Sequence, residues 1–348
     1  MNPSVAVVIP NYNDAKYLSR AVRSVMNQSV AADEVIVVDD CSTDDSMETI
    51  RALAAEFPAL RAIRHEVNQG VYGAIATGRA ATASEYVMFV AANDFLLQGL
   101  MARAKDCLTL HPGVGLWSSM GWLVDEEDQL LGPIAISVPA MHERYFSPLQ
   151  CRELAHRFGN WFAGPSVVYN KKLMESVGAF NPDYRGLADL VCALMVAARA
   201  GAIFSPEPLA VVRMHSGSYL SSTFAQAKSL IEILDTLSRN APLVAPELFD
   251  APFIERSIRR FVFAAINNSR AQILADFALI LGARPAGRLR LIQALVPERL
   301  ASVRLALAFV ALRSFDIGVS LWNRVILCRV ISIFYAYKFA DTKKIISK

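Results

Sequence analysis

The feature that most constrains this chain is the alternation running through its first hundred residues. Short apolar runs at residues 5–9, 34–38 and 87–92, with a further expected strand at residues 60–65, are separated by helical patterns. A near-continuous apolar run is the mark of a strand buried on both faces, as in a parallel sheet. Residues 15–28 read as a helix with Leu18, Val22 and Val25 on its inner face. Cys41-Ser42-Thr43-Asp44 opens a second helix, with Asp44, Asp45 and Glu48 near the positive end of its dipole. Asn68-Gln69-Gly70 is a turn before a small-residue helix over residues 71–82. Strand-helix alternation of this kind predicts an α/β fold, a doubly wound and mostly parallel sheet.

The chemistry lies where the apolar runs stop. In open α/β sheets, ligands bind just beyond the carboxyl ends of the strands. Here those ends carry Pro10-Asn11-Tyr12-Asn13, Asp39-Asp40 and Ala91-Ala92-Asn93-Asp94. Pro10 is expected to end the first strand. The first turn is no GxGxxG loop, which disfavours a nicotinamide dinucleotide. Paired aspartates suit a ribose diol or the polar edge of a base, because each carboxylate accepts several hydrogen bonds. Asn93 and Asp94 admit two readings: a cap on the next helix, or a contact to a metal or ligand.

Composition narrows the class. With 54% hydrophobic residues, disorder over most of the length is excluded. Five cysteines with no CxxC pair fit a reducing cytosol better than a disulfide framework or a zinc site. No basic leader and no uninterrupted apolar run of about 18 residues is present, so neither a signal peptide nor a transmembrane helix is expected. The net charge of +3 divides into −6 for residues 1–224 and +9 for residues 225–348, which implies two jobs. The first part lacks interleaved basic and aromatic residues, so nucleic acid is not an expected partner.

Five ordered motifs carry a resemblance. VVIPNYN (7–13), VVDDCSTDDS (37–46), NQG (68–70), GPSVVYNKKLMESVGAFNPDY (164–184) and RMHSGSYLS (213–221) together resemble the inverting family 2 glycosyltransferases. The likeness covers roughly residues 4–220, and VVDDCSTDDS is the most specific part. It implies the GT-A nucleotide-diphospho-sugar transferase fold over residues 1–224; beyond that the resemblance ends and the sequence pattern itself turns helical over residues 225–348. The resemblance also implies a nucleotide-sugar donor and a Mg²⁺ or Mn²⁺ cofactor. Pro10 and Tyr12 would contact the base, Asp39 and Asp40 the base and ribose, and Asn68 and Gly70 the turn beside them. The AAND stretch stands where the family carries its acidic metal motif, so Asp94 would touch the ion and Asn93 would offer a neutral oxygen. Asp189, after Ala188 where relatives carry Glu, would be the catalytic base. His215 would bind phosphate or complete the metal shell. Basic and Asn contacts common in the family are replaced by Ile75 and Ala76.

The remaining readings stay open. Trp117, Trp122, Trp161 and Phe162 form either a sugar platform or ordinary core. Residues 116–157 read as irregular, with Asp125-Glu126-Glu127-Asp128 as a solvated hairpin tip. His111, His142 and His156 lack metal-ligand spacing and read as structural or surface residues. The last 120 or so residues are helical in pattern, and basic residues interleave with Trp322, Phe334, Tyr335 and Tyr337. That mixture suits a helix in an anionic membrane interface, or a helical subdomain or dimer contact. The expected acceptor is a hydroxyl of a cell-surface or lipid-linked glycan at the cytoplasmic face of a bacterial membrane. The rival readings are a catalytically impaired binding protein of the same fold and a nucleotidyltransferase.

Overall fold

The computed structural model describes residues 3–134, 136–214, 227–254, 256, 257 and 295. The elements run β1 (Val5–Asn11), α1 (Ala15–Met26), β2 (Glu34–Asp39), α2 (Ser46–Glu56), β3 (Leu60–Arg64), α3 (Gly70–Ala80) and β4 (Tyr86–Phe89). Then come β5 (Phe95–Leu96), α4 (Leu100–Leu110), β6 (Leu116–Val124), β7 (Leu130–Pro133), β8 (Arg144–Phe146), α5 (Pro148–Phe158) and β9 (Val168–Asn170). The described part closes with α6 (Lys171–Ser176), α7 (Ala188–Ala200), β10 (Ala202–Arg213) and α8 (Ala227–Val244).

One mixed sheet organises these elements, in the order β3-β2-β1-β4-β9-β6-β10-β5, with β7 on β6 and β8 on β10. The pairs β2–β3, β1–β2, β1–β4 and β6–β10 are parallel. β9 is antiparallel to both β4 and β6. Six strands therefore point the same way, and their carboxyl ends share one edge. Alternate side chains feed two cores. Val7, Ile9, Val37 and Met88 pack under α1, α2 and α4. Val8, Ile36, Val38, Val87 and Phe89 face α3, α5 and α7 on the other side. Ile233, Leu237, Ala241, Phe249 and Phe253, from α8 and just beyond, join this second core.

Several sequence expectations need correction. β1 continues through Pro10, which pairs with Val38, and ends at Asn11. The Asn11 carbonyl accepts from Asp40 on the β2 side, whereas that of Val8 accepts from Val90 on the β4 side. Pro10 shares Val8's side, beyond the last β1–β4 pair, so its missing N–H costs no ladder bond. α1 stops at Met26, and Gln28 turns inward to donate to the Ser24 and Leu97 carbonyls. Residues 116–157 are not irregular: they hold β6, a hairpin, β8 and α5. The last of these opens on a reciprocal Ser147–Gln150 capping box with Pro148 behind the cap. Trp117, Trp122, Trp161 and Phe162 are all buried and form core, not a sugar platform.

Candidate active site

The ends of β1 and β2 are locked together by side chains. Asn11 donates to Asp39 Oδ1 at 2.8 Å and to Ser42 Oγ at 3.2 Å. Asp39 Oδ2 accepts from the Ser42 backbone at 3.1 Å and faces the Arg64 guanidinium at 3.6 Å. Asn13 and Cys41 both adopt positive φ, 55° and 63°. Asn13 tolerates that region because its short amide bonds locally; its Oδ1 accepts from the Thr43 backbone at 2.8 Å. Asp44 receives the first N–H groups of α2 and α1, from Ser46 and Ala15, each at 3.0 Å. Tyr12 projects from this rim and is exposed.

Asp40 is buried and held differently. Its Oδ1 accepts from Gln69 N at 2.8 Å and lies 2.7 Å from His65 Nδ1. Asn68 closes an Asx turn onto Gly70 N at 2.9 Å, and Gly70 takes φ +77°, a conformation a side chain would strain. The turn is thereby fastened to the end of β2. His65, on which the sequence reading is silent, is one of the buried polar groups of this edge.

Beyond β4 the chain turns sharply, with Asp94 N donating to the Ala91 carbonyl at 3.0 Å. The capping reading of Asn93 and Asp94 fails here, because β5 follows and the next helix begins only at Leu100. The buried Asp94 carboxylate accepts the Arg213 backbone N–H at 2.9 Å. Burial pushes its pKa up to about 7, opposed by that N–H and the Arg213 charge and helped by Asp14.

Arg213, at the end of β10, has a buried guanidinium that ties three segments together. It donates to the carbonyls of Asn93 at 3.2 Å, Asp125 at 2.9 Å and Glu126 at 3.3 Å. It pairs with Asp128 Oδ1 at 2.7 Å and lies over the Tyr17 ring. Asp128 also pairs with Arg20, which stacks on Phe95. The acidic run does form a hairpin tip, with Glu126 and Glu127 exposed, while the partly exposed Asp128 turns its carboxylate to Arg213 and Arg20 as their counter-charge. The sequence signal available for Arg213 was its place at the head of the RMHSGSYLS motif.

Asp189 lies in the first turn of α7, half-buried, where the helix dipole favours its charged form. Burial raises its pKa above the ordinary aspartate value, against the pull of the Leu190 N–H, which donates to Oδ1 at 2.7 Å. A Cβ built on Gly164 would stand 2.7 Å from Asp189 Oδ2, so glycine leaves the room this carboxylate occupies. Gly164 precedes β9, which runs antiparallel to β4, so this turn lies at the same sheet edge as Asp94.

The expected residues Pro10, Tyr12, Asp39, Asp40, Asn68, Gly70, Asn93, Asp94 and Asp189 thus lie along one edge. His215 falls outside the described residues. Among the described residues, no group of three or more His, Cys, Asp or Glu side chains comes together to hold a metal ion. Asp94 offers one hard oxygen, which fits a partial Mg²⁺ or Mn²⁺ shell completed by phosphate oxygens and water. His111 stacks on Tyr145, and His156 lies beside Arg256 and Phe253, which agrees with structural roles.

A mostly parallel sheet with acids and amides along its carboxyl edge is the architecture of GT-A glycosyltransferases. Two solved structures share it. S. aureus TarS in complex with UDP-GlcNAc matches with TM-score 0.58 and 19% identity, over 92% of this chain and 90% of that one. The Pyrobaculum calidifontis mannosyltransferase PcManGT, in complex with GDP-Man and Mn²⁺, matches with TM-score 0.54 and 21% identity, over 93% and 88%. The family model for glycosyl transferase family 2 matches residues 6–103. An uncharacterized glycosyltransferase of Nostoc sp. is 30% identical over 230 residues, 64% of this chain and 69% of the relative. An uncharacterized protein of Mycobacterium tuberculosis is 27% identical over 271 residues, 72% and 82% of the two chains. The chain belongs to glycosyl transferase family 2, and it is a glycosyltransferase.

Proposed function

We propose that this glycosyltransferase moves a sugar from a nucleotide-sugar donor to an acceptor hydroxyl in one displacement that inverts the anomeric centre. The observation that carries the reading is the Asp189 carboxylate, half-buried, oriented by Leu190 and raised in pKa at the edge that holds Asp94. A base with a raised pKa accepts a proton more readily once ionised. Asp189 takes the acceptor hydroxyl proton as that oxygen bonds to the anomeric carbon. The bond from that carbon to the diphosphate oxygen breaks, and the nucleoside diphosphate leaves. Asp189→Asn is expected to lower kcat by about 10²–10⁴, the scale of a lost general base. The assay is nucleoside diphosphate release in the presence of a panel of hydroxyl acceptors. An unchanged kcat would remove Asp189 from the reaction. Release of pyrophosphate instead would mean nucleotidyl transfer.

On the donor side, Asp39, Asp40, Pro10, Tyr12, Asn68 and Gly70 form the nucleotide end. Asn93 and Asp94 form the diphosphate end; the phosphate or metal role of His215 rests on the family resemblance alone, since that residue lies outside the described ones. TarS and PcManGT were solved with a UDP-sugar and a GDP-sugar, which supports a nucleotide-sugar here without choosing the base. A divalent ion at Asp94, when bound, neutralises charge on the leaving diphosphate.

We also propose a cell-surface or lipid-linked glycan acceptor, reached from the cytoplasmic face of an anionic membrane. The balance of +9 over residues 225–348 supports this. Among the described residues, no helix is long and apolar enough to cross a membrane; the interfacial stretches lie outside them. Full-length protein should co-float with vesicles containing phosphatidylglycerol and not with pure phosphatidylcholine. Equal flotation with both would remove the electrostatic term.

A further inference from the structure

We propose that His65 is a positioning residue for the donor nucleotide, acting through Asp40. The inference rests on the nucleotide reading of the β2 end and goes a step beyond it. The imidazole is buried between two partners. Nδ1 lies 2.7 Å from Asp40 Oδ1, and Nε2 lies 2.9 Å from Thr77 Oγ1 in α3. The His65 backbone N–H donates to the Asp39 carbonyl at 2.9 Å, which fixes the residue to the strand it serves.

These partners assign the hydrogens. A carboxylate only accepts, so Nδ1 carries a proton toward Asp40; in the neutral ring Nε2 then accepts from the Thr77 hydroxyl. Gln69 N donates to the same Oδ1 at 2.8 Å. Two donors hold one oxygen of Asp40, and its other oxygen makes no hydrogen bond among the described residues. A carboxylate clamped on one oxygen presents the second in a fixed direction, ready for a hydroxyl or N–H of the nucleoside. Without the imidazole, Asp40 keeps only the Gln69 N–H and is free to rotate. His65 therefore lowers the ordering cost of binding without touching the ligand.

The test is calorimetric titration of the full chain with UDP, GDP and CDP, in wild type, His65→Ala, His65→Asn and Thr77→Val. An asparagine amide nitrogen takes the place of Nδ1 and still donates to Asp40, but it does not reach Thr77. His65→Ala is expected to raise the Kd of the preferred nucleotide about tenfold, the scale of one lost buried hydrogen bond. His65→Asn should stay within about threefold of wild type. With donor turnover as readout, the loss in His65→Ala should fall on the donor KM more than on kcat. A merely structural histidine would make Asn and Ala equally harmful. Binding by His65→Ala equal to wild type, or His65→Asn as weak as His65→Ala, overturns the proposal. If His65→Ala does not fold, Thr77→Val carries the test: it should weaken binding a few-fold, and unchanged affinity overturns the idea. Asp40→Ala separates the two levels. If it binds as well as wild type, the nucleotide reading of Asp40 fails; if it is weakened while His65→Ala is not, only the role of His65 fails.

Discussion

Asp94 and Asp189 are both raised in pKa by burial, yet the two shifts have different consequences. For Asp94, the folded state holds a proton up to about 7, whereas the unfolded value is 3.8. Folding therefore takes up a proton between those values, and stability falls as pH rises from about 4 to about 7. Asp94→Asn removes this titration while keeping an oxygen for the Arg213 N–H. It should unfold at higher urea than wild type at about pH 8, by roughly 2–4 kcal/mol, and match it at about pH 4. Equal stability at both pH values would show that the buried acid is not strained. Asp189 must be ionised to act, and its raised pKa moves the acid limb of activity above that of an ordinary aspartate. A pH profile of kcat should fall about tenfold per unit below that limb; a profile flat down to about pH 4 would contradict it.

At the scale of elements, the β6–β7 hairpin is held by its own tip. Asp128 balances Arg213 and Arg20, which come from β10 and α1. Asp128→Ala leaves the buried Arg213 short of its counter-charge and should cost about 1–3 kcal/mol in urea unfolding, less than a fully buried broken pair because Asp128 is partly exposed. Arg20→Ala should cost less, since that guanidinium is itself partly exposed. A loss below about 0.5 kcal/mol for Asp128→Ala would mean the pair is decorative. The same contrast explains what was legible in the sequence. β1, β2 and β4 were readable because strands buried on both faces are apolar along their length. β6 was not, because Ser118, Ser119 and Gly121 interrupt it. Those serines are buried: the Ser118 hydroxyl pairs with that of Ser166, 48 residues away, which also accepts the Ser119 backbone N–H, while the Ser119 hydroxyl donates to the Met120 carbonyl. Asp39, Asp40, Asp94 and Asp189 announced themselves through motifs. His65 did not, and Arg213 opened the motif at 213–221 without a role being legible, because their meaning lies in partners 25 and 119 residues distant.

Over the whole molecule, the described residues between 233 and 254 contribute to the same core as the catalytic sheet. Ile233, Leu237, Ala241, Phe249 and Phe253 pack with side chains of α5 and α7, including Ala155, Val191 and Leu194. A chain ending at residue 224 would expose that apolar surface, and should unfold at lower temperature than one ending at 257. Equal midpoints would mean the helix adds nothing to the fold. The sheet edge is the other whole-molecule feature, since it draws on six strands and gathers every described residue assigned to the donor. The central claim is that this edge holds a nucleoside diphosphate. The most direct measurement is calorimetric titration of the full-length protein with UDP, GDP and CDP, each with and without Mn²⁺. Binding of one nucleotide, strengthened by Mn²⁺ and lost in Asp40→Ala, is the predicted result. A folded protein that binds none of the three, with or without the ion, would contradict it.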